Sequence, residues 1–142
     1  MEERVLLVDD EVKFLEMMAE RMRTRGMHVT TAASAADAVR MAEKESFDAI
    51  VLDLKMPDMD GIEVLKLLKE KRPDSQIILL TGHATVEKGI EAMKLGAMDF
   101  LEKPADLNEL SNKIKEAQTQ KMLIVEKNLE EKVKQIIIQK GW

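Results

Sequence analysis

The chain is 142 residues and 16.1 kDa, the size of one ordinary domain. Its 22 basic and 27 acidic residues leave a net charge of −5, which argues against non-specific binding to nucleic acid or anionic membranes. Zero cysteines exclude disulfides and thiolate chemistry, two histidines are too few for a His-rich metal cage, and four aromatics are too few for a base-stacking platform.

The N-terminus runs directly into Val5-Leu6-Leu7-Val8, an apolar block far too short for a signal peptide or a membrane span. A soluble, unprocessed cytoplasmic chain is therefore expected. Val12, Leu15, Ala19 and Met22 share one face of a helix over residues 11–25, which Gly26 can terminate. A mixed segment at 27–31 suits an edge strand, and His28 reads as one of its side chains. Ser34-x-x-Asp37 is a capping box that opens a helix through Lys44. Ala49-Ile50-Val51-Leu52 and Ile77-Ile78-Leu79-Leu80 are continuous apolar runs, the pattern of parallel strands covered on both faces. Between them lies a helix over 61–71, ended by Pro73. Val86, Ile90 and Met93 mark a fourth helix stopped by Gly96, and its interior Gly89 costs about 1 kcal/mol relative to Ala. This helix is expected to be the least rigid. Residues 98–101 suit a second edge strand, and Asp106-x-x-Glu109 opens a fifth helix.

Five β-α repeats with right-handed crossovers predict an α/β fold of flavodoxin-like type. Its doubly wound five-stranded parallel sheet has the order 2-1-3-4-5. The last helix is too long for that fold. Leu107, Leu110, Ile114 and Ala117 form one apolar stripe, and Met122, Val125, Leu129, Val133 and Ile136 form another in a different phase. No Pro or Gly interrupts residues 105–140, so one long helix or two abutting helices are both allowed. The chain divides into residues 1–118, one α/β domain, and 119–142, a helical extension or linker.

Doubly wound sheets carry their sites at the carboxyl ends of the strands. The sequence places Asp9-Asp10-Glu11 after the first strand, Asp53 after the third, Thr81-Gly82 after the fourth and Lys103-Pro104 after the fifth. Three carboxylates brought together repel one another and call for a cation. Oxygen ligands without Cys or His favour Mg²⁺. A Lys charge and a Thr hydroxyl beside them suit a phosphoryl group, and a carboxylate there can act as nucleophile to give an acyl phosphate. Asp53, alone at the end of the central strand, is the expected nucleophile. Singly, each residue has a plainer reading. Asp9 and Asp10 can cap a helix, and Asp53 can cap the turn marked by Pro57, Asp58, Asp60 and Gly61. Their joint placement on one edge of one sheet outweighs those readings.

Over residues 4–117 the chain resembles the receiver domains of two-component response regulators. The resemblance is carried by Val8-Asp9-Asp10-Glu11, by the run from Asp53 to Gly61 (DLKMPDMDG), by Thr81-Gly82 and by Phe100-Leu101-Glu102-Lys103-Pro104. The stretch from Thr81 to Pro104 is most similar to receivers of nitrogen-regulatory-type transcriptional activators. The resemblance implies that Asp53 accepts phosphate from a phosphohistidine on a sensor histidine kinase. It implies Mg²⁺ ligation by Asp10, Asp53 and the backbone carbonyl of Lys55, with Asp9 acting through water. Lys103 pairs with the phosphate and Thr81 swings to hydrogen-bond it. Phe100 fills the place of the switch aromatic, without the hydroxyl that many relatives carry there. The Lys103-Pro104 bond is expected to be cis. Lys55 and His83 occupy the positions that set phosphate lifetime.

Such a module signals by repacking the surface of its fourth helix, fifth strand and fifth helix. A homodimer through that surface or through the C-terminal helix is the expected self-association. A different class, the Asp-nucleophile phosphatases of haloacid-dehalogenase type, wants an Asp where Lys55 stands and a cap domain for which there is no chain. Nucleotide enzymes lack both GxxxxGK[ST] and GxGxxG here. Roughly 25 residues beyond the receiver are too few for a helix-turn-helix domain, so direct nucleic-acid contact is not expected. The alternative is a receiver fragment of a larger transcriptional activator.

Overall fold

The computed structural model describes residues 2–82 and 86–141, with Lys55 and Met59 described by their backbones alone. Five parallel strands form the main sheet: β1 (Arg4–Val8), β2 (His28–Ala32), β3 (Ala49–Leu52), β6 (Ile77–Thr81) and β7 (Asp99–Glu102), in the order β2-β1-β3-β6-β7. This is the expected 2-1-3-4-5 topology. The three central strands are buried at nearly every position, whereas β2 and β7 mix buried residues with partly and fully exposed ones. The edge strands begin one residue later than the sequence pattern suggests.

Strand geometry divides the apolar runs between two layers, because successive side chains point to opposite faces. Leu6, Val8, Ile50, Leu52, Ile77 and Leu79 join one core cluster with helices α2 (Ala35–Lys44), α3 (Gly61–Lys71) and α4 (Val86–Lys94). Val5, Leu7, Val51, Ile78 and Leu80 join the other with α1 (Val12–Thr24) and the start of α5 (Leu107–Gln139). Each fully buried Leu or Ile stabilises the fold by about 1.5–3 kcal/mol relative to exposure.

The loops at the carboxyl edge are set by hydrogen bonds. Ser34 Oγ accepts from the Asp37 amide at 3.2 Å, the cap expected from the sequence. Asp58 adds a second cap across the fold, accepting from the Ala35 and Ala36 amides at 3.2 and 3.3 Å. A small antiparallel hairpin, β4 (Lys55–Met56) and β5 (Met59–Asp60), follows β3 and delivers Asp60 as the N-cap of α3. Gly61 is required there, since a Cβ would sit 2.3 Å from the Leu54 backbone. The Lys103-Pro104 peptide bond is cis, as expected.

The C-terminal segment is one unbroken helix of 33 residues, about 50 Å long at 1.5 Å per residue. Leu110, Ile114 and Ala117 are buried against the sheet. Near its middle, Lys121 Nζ donates to the Phe47 carbonyl at 3.0 Å. Beyond that point the helix is mostly exposed: Met122 and Leu129, 49% and 61% exposed, still border an open groove with Asp48 and Asp74, and Ile138 is 75% exposed. No helix among the described residues is long and apolar enough to cross a membrane.

Candidate functional site

Register places the candidate residues at one level. Val8 pairs with Leu52 across β1 and β3, so the next residues, Asp9 and Asp53, emerge side by side, and the Asp53 amide donates to the Val8 carbonyl at 3.1 Å. Carboxylate oxygens of Asp9, Asp10 and Asp53 lie within 4.8 Å of one another. Asp9 and Asp53 are 1% and 5% exposed, while Asp10 stands at the rim. Glu11 occupies the N-cap position of α1 with no side-chain cap of its own. Its amide donates instead to Asp9 Oδ1 at 2.9 Å, which ties the acid to the start of the helix.

Lys103 reaches into this group from the end of β7. Its Nζ lies 2.6 Å from Asp9 Oδ2, 3.6 Å from Asp53 Oδ2 and 4.0 Å from Glu11 Oε1. Burial pushes the Asp9 carboxyl up, outweighing the Lys103 hydrogen bond and the Glu11 amide that pull it down. Burial alone would pull Lys103 down. The Asp9 hydrogen bond and the charges of Asp9, Asp53 and Glu11 outweigh it, and the ammonium is held above its ordinary value. The Lys103 amide also donates to the Thr81 carbonyl at 2.9 Å, so the two residues share one strand pair. Thr81 is fully buried at the end of β6.

Phe100 lies on β7 with its ring toward α4, where it would sit 3.8 Å from a Cβ at Gly89. It is partly buried and lines an open groove of about 790 Å³ with Val86, Ile90, Met93 and Asp99. His83 lies outside the described residues, as does the Lys55 side chain; the Lys55 backbone is held in the hairpin opposite Asp60. Of two further neighbours of Lys103, the sequence places Glu11 at this strand end without a role of its own and does not single out Phe14. The Glu11 carboxylate is near Lys103, and the Phe14 ring centroid is 4.1 Å from its Nζ. The only available signal was spacing, since Phe14 lies one helical turn beyond Asp10.

The acids form an oxygen-only donor set, and the chain holds no cysteine. Such a set suits a hard divalent cation, and the adjacent buried ammonium supplies a fixed counter-charge for an anion. A doubly wound sheet with these groups at its carboxyl edge defines a signalling receiver, and sequence comparison agrees. Residues 5–115 match the response regulator receiver domain, and the chain belongs to that family.

The photosynthetic apparatus regulatory protein RegA of Cereibacter sphaeroides is 40% identical over 108 residues, which is 76% of this chain and 59% of RegA. The transcriptional regulatory protein ZraR of Salmonella typhimurium is 35% identical over 113 residues, 80% of this chain but only 26% of ZraR. The chain thus spans less than two thirds of RegA and about a quarter of ZraR. Among solved structures, the beryllofluoride-activated NtrC4 receiver domain dimer superposes with a TM-score of 0.78 at 37% identity. That match covers 83% of this chain and 98% of the other.

Proposed function

We propose that this receiver accepts a phosphoryl group on Asp53 from a phosphohistidine of a sensor histidine kinase, with Mg²⁺ as cofactor. The observation that supports this most directly is Lys103 Nζ set between the buried carboxylates, 2.6 Å from Asp9 and 3.6 Å from Asp53. The Asp53 carboxylate oxygen attacks phosphorus, the P–N bond to the donor imidazole breaks, and the imidazole leaves with the electron pair. An acyl phosphate remains on Asp53. Lys103 exchanges its bond to Asp9 for one to a phosphoryl oxygen, and Thr81 turns to donate to another. Mg²⁺ would be held by Asp10, Asp53 and the Lys55 carbonyl, with Asp9 reached through water, and it supplies charge neutralisation at the acids and the phosphoryl oxygens. Phe100 then follows Thr81 inward, and because it has no hydroxyl its switching rests on burial of the ring. The readout is the surface of α4, β7 and α5. The only chemistry the chain catalyses is its own phosphorylation and dephosphorylation, with His83 and Lys55 placed to influence the lifetime.

Labelling with acetyl phosphate or phosphoramidate tests this. Wild type should take up phosphate in Mg²⁺ and not in EDTA, and Asp53→Asn should take up none. Equal uptake by Asp53→Asn removes Asp53 as the nucleophile.

The partners are a sensor kinase and a second copy of this chain. Met122, Val125, Leu129, Val133 and Ile136 recur at 3-4-4-3 spacing, an eleven-residue rhythm that keeps one stripe on a nearly straight helix. Lys132 flanks the stripe on one side, where Lys121 is held on its own domain by the Phe47 carbonyl, and Glu126 and Glu130 flank it on the other. A parallel pair sets opposite charges together, whereas an antiparallel pair sets like charges together. Light scattering should give a dimer for the whole chain and a monomer for one ending at Gln118; monomers for both refute this interface. The alternative interface is α4–β7–α5. RegA and ZraR also favour a second setting, in which this receiver is the input portion of a longer transcriptional regulator. A reading frame that continues past Trp142 would establish it.

A further inference from the structure

Besides the carboxylates, the Lys103 ammonium lies against an uncharged ring. Its Nζ lies 4.1 Å from the centroid of the Phe14 ring, inside the ~6 Å reach of a cation–π contact. We infer that Phe14 is a positioning residue for phosphoryl transfer, its ring face holding the Lys103 ammonium beside Asp53 while leaving the N–H groups to oxygen acceptors. The inference rests on the phospho-acceptor reading of Asp53.

An ammonium has three N–H donors and no acceptor. Here Asp9 takes one of them in a 2.6 Å hydrogen bond, while Asp53 at 3.6 Å and Glu11 at 4.0 Å attract the charge from beyond hydrogen-bond distance. A fourth oxygen would compete for the same hydrogens. An aromatic face attracts the charge without taking a hydrogen bond, because the attraction arises from the ring quadrupole. That distinction matters at the moment of transfer. Lys103 must give up its short bond to Asp9 and make one to a phosphoryl oxygen, and the pull of the ring persists through the exchange.

The ring itself is fixed. Phe14 lies near the start of α1, four residues after Asp10, so one helix end carries both the acids and the ring. It packs on the core layer shared by α1 and α5, as do Ala105 and Leu107 just beyond Lys103. The Lys103 side chain is only 15% exposed, and cation–π contacts are strongest where water is thinned out. A Leu at position 14 would fill much of the same space and remove the attraction of the ring, leaving the ammonium to the carboxylates.

The test separates the π-face from mere bulk. In the full chain, Phe14 is replaced by 4-fluoro-, 3,5-difluoro- and 3,4,5-trifluorophenylalanine, which withdraw density from the face and nearly keep the shape. With acetyl phosphate and Mg²⁺, the Asp53 labelling rate should fall stepwise, to about a tenth of wild type for the trifluoro ring, while melting temperatures stay together. Phe14→Leu should slow labelling about tenfold, and should cause no further slowing in a Lys103→Ala background. A labelled wild type with a flat fluorination series overturns the role of the ring alone, and this series decides even if Phe14→Leu folds poorly. Equal slowing by Phe14→Leu with and without Lys103 also overturns it. A wild type that takes no label overturns the phospho-acceptor reading and the role of the ring together.

Discussion

Replacing Asp10 by Asn is expected to raise the melting temperature of the metal-free protein and to abolish its response to Mg²⁺. The Asp10 carboxylate has oxygens within 4.8 Å of those of Asp9 and Asp53. Two unit charges at that separation repel by about 3.5 kcal/mol at an effective dielectric constant of about 20. Asp10 stands at the rim, so solvent screening removes roughly half of each term. The lost attraction to the amino end of α1 offsets ~0.3–1 kcal/mol, and Lys103 loses one acid beyond ion-pair distance, about 1–1.5 kcal/mol after the same screening. The ion pairs of Lys103 run to Asp9, Asp53 and Glu11, so the substitution breaks none of them. A net gain of about 1–2 kcal/mol remains, or about 3–8 °C for a domain of this size. The assay is thermal unfolding followed by circular dichroism, in EDTA and in Mg²⁺. Wild type should gain about 1.4 kcal/mol when the free ion is at ten times its dissociation constant, and Asp10→Asn should gain nothing. A variant less stable than wild type in EDTA would show that the acids are not in net repulsion. A variant that still responds to Mg²⁺ would show that Asp10 is not a ligand.

Other perturbations probe separate parts of the same structure. In EDTA, Asp9→Asn should stabilise at neutral pH, because burial holds the folded carboxyl above its unfolded value and the charged form disfavours folding. The sign follows by linkage: the gain is complete above the raised folded value and disappears as pH falls below the unfolded value of about 3.8. Urea titrations at several pH values would check it, and a gain that grows toward acid would contradict it. Gly61→Ala should cost about 3 kcal/mol or more, since its Cβ would fall 2.3 Å from Leu54 backbone atoms that cannot swing away; near-neutral stability would refute the tight approach. Gly89→Ala, whose Cβ would meet the Phe100 ring at an ordinary 3.8 Å, should instead stabilise by about 1 kcal/mol through helix propensity, read as a higher urea midpoint.

The strands could be read from the sequence because both faces of the sheet are covered. Val5 to Val8 must be apolar throughout when Val5 and Leu7 face α1 and α5 while Leu6 and Val8 face α2 and α3. The site could be read because a doubly wound sheet gathers strand ends, so Asp9, Asp53, Thr81 and Lys103 could be placed together without coordinates. Features that depend on meeting across the chain gave no such signal. Asp58 caps a helix that begins 23 residues earlier, and nothing in its neighbourhood names that target. The hairpin of β4 and β5 has strands of two residues each, too short for any period to register. Phe14 and Lys103 meet only because the Lys103 side chain reaches from the end of β7 along the carboxyl edge of the sheet to Asp9 and the start of α1. Composition says that Phe14 is apolar and cannot say that its face is used.

The C-terminal helix raises a different question, because its sequence allowed two outcomes and the backbone takes one. With no break between Leu107 and Gln139, the part packed on the sheet and the part beyond it share one continuous helical backbone. At 100° per residue, the stripe of Met122, Val125, Leu129, Val133 and Ile136 is turned about a quarter of a circle from the face that buries Leu110, Ile114 and Ala117. The exposed stripe is therefore not the core stripe running on past the edge of the domain. A second copy could seat on it while Leu110 and Ile114 stay buried in their own receiver. Lys113 in the packed half forms a 2.7 Å ion pair with Asp99 on β7, one residue before Phe100. A shift of β7 during switching would thus reach the packed half of the helix directly. In the proposed switch, the unbroken helix is the route by which β7 could bias the proposed dimer stripe.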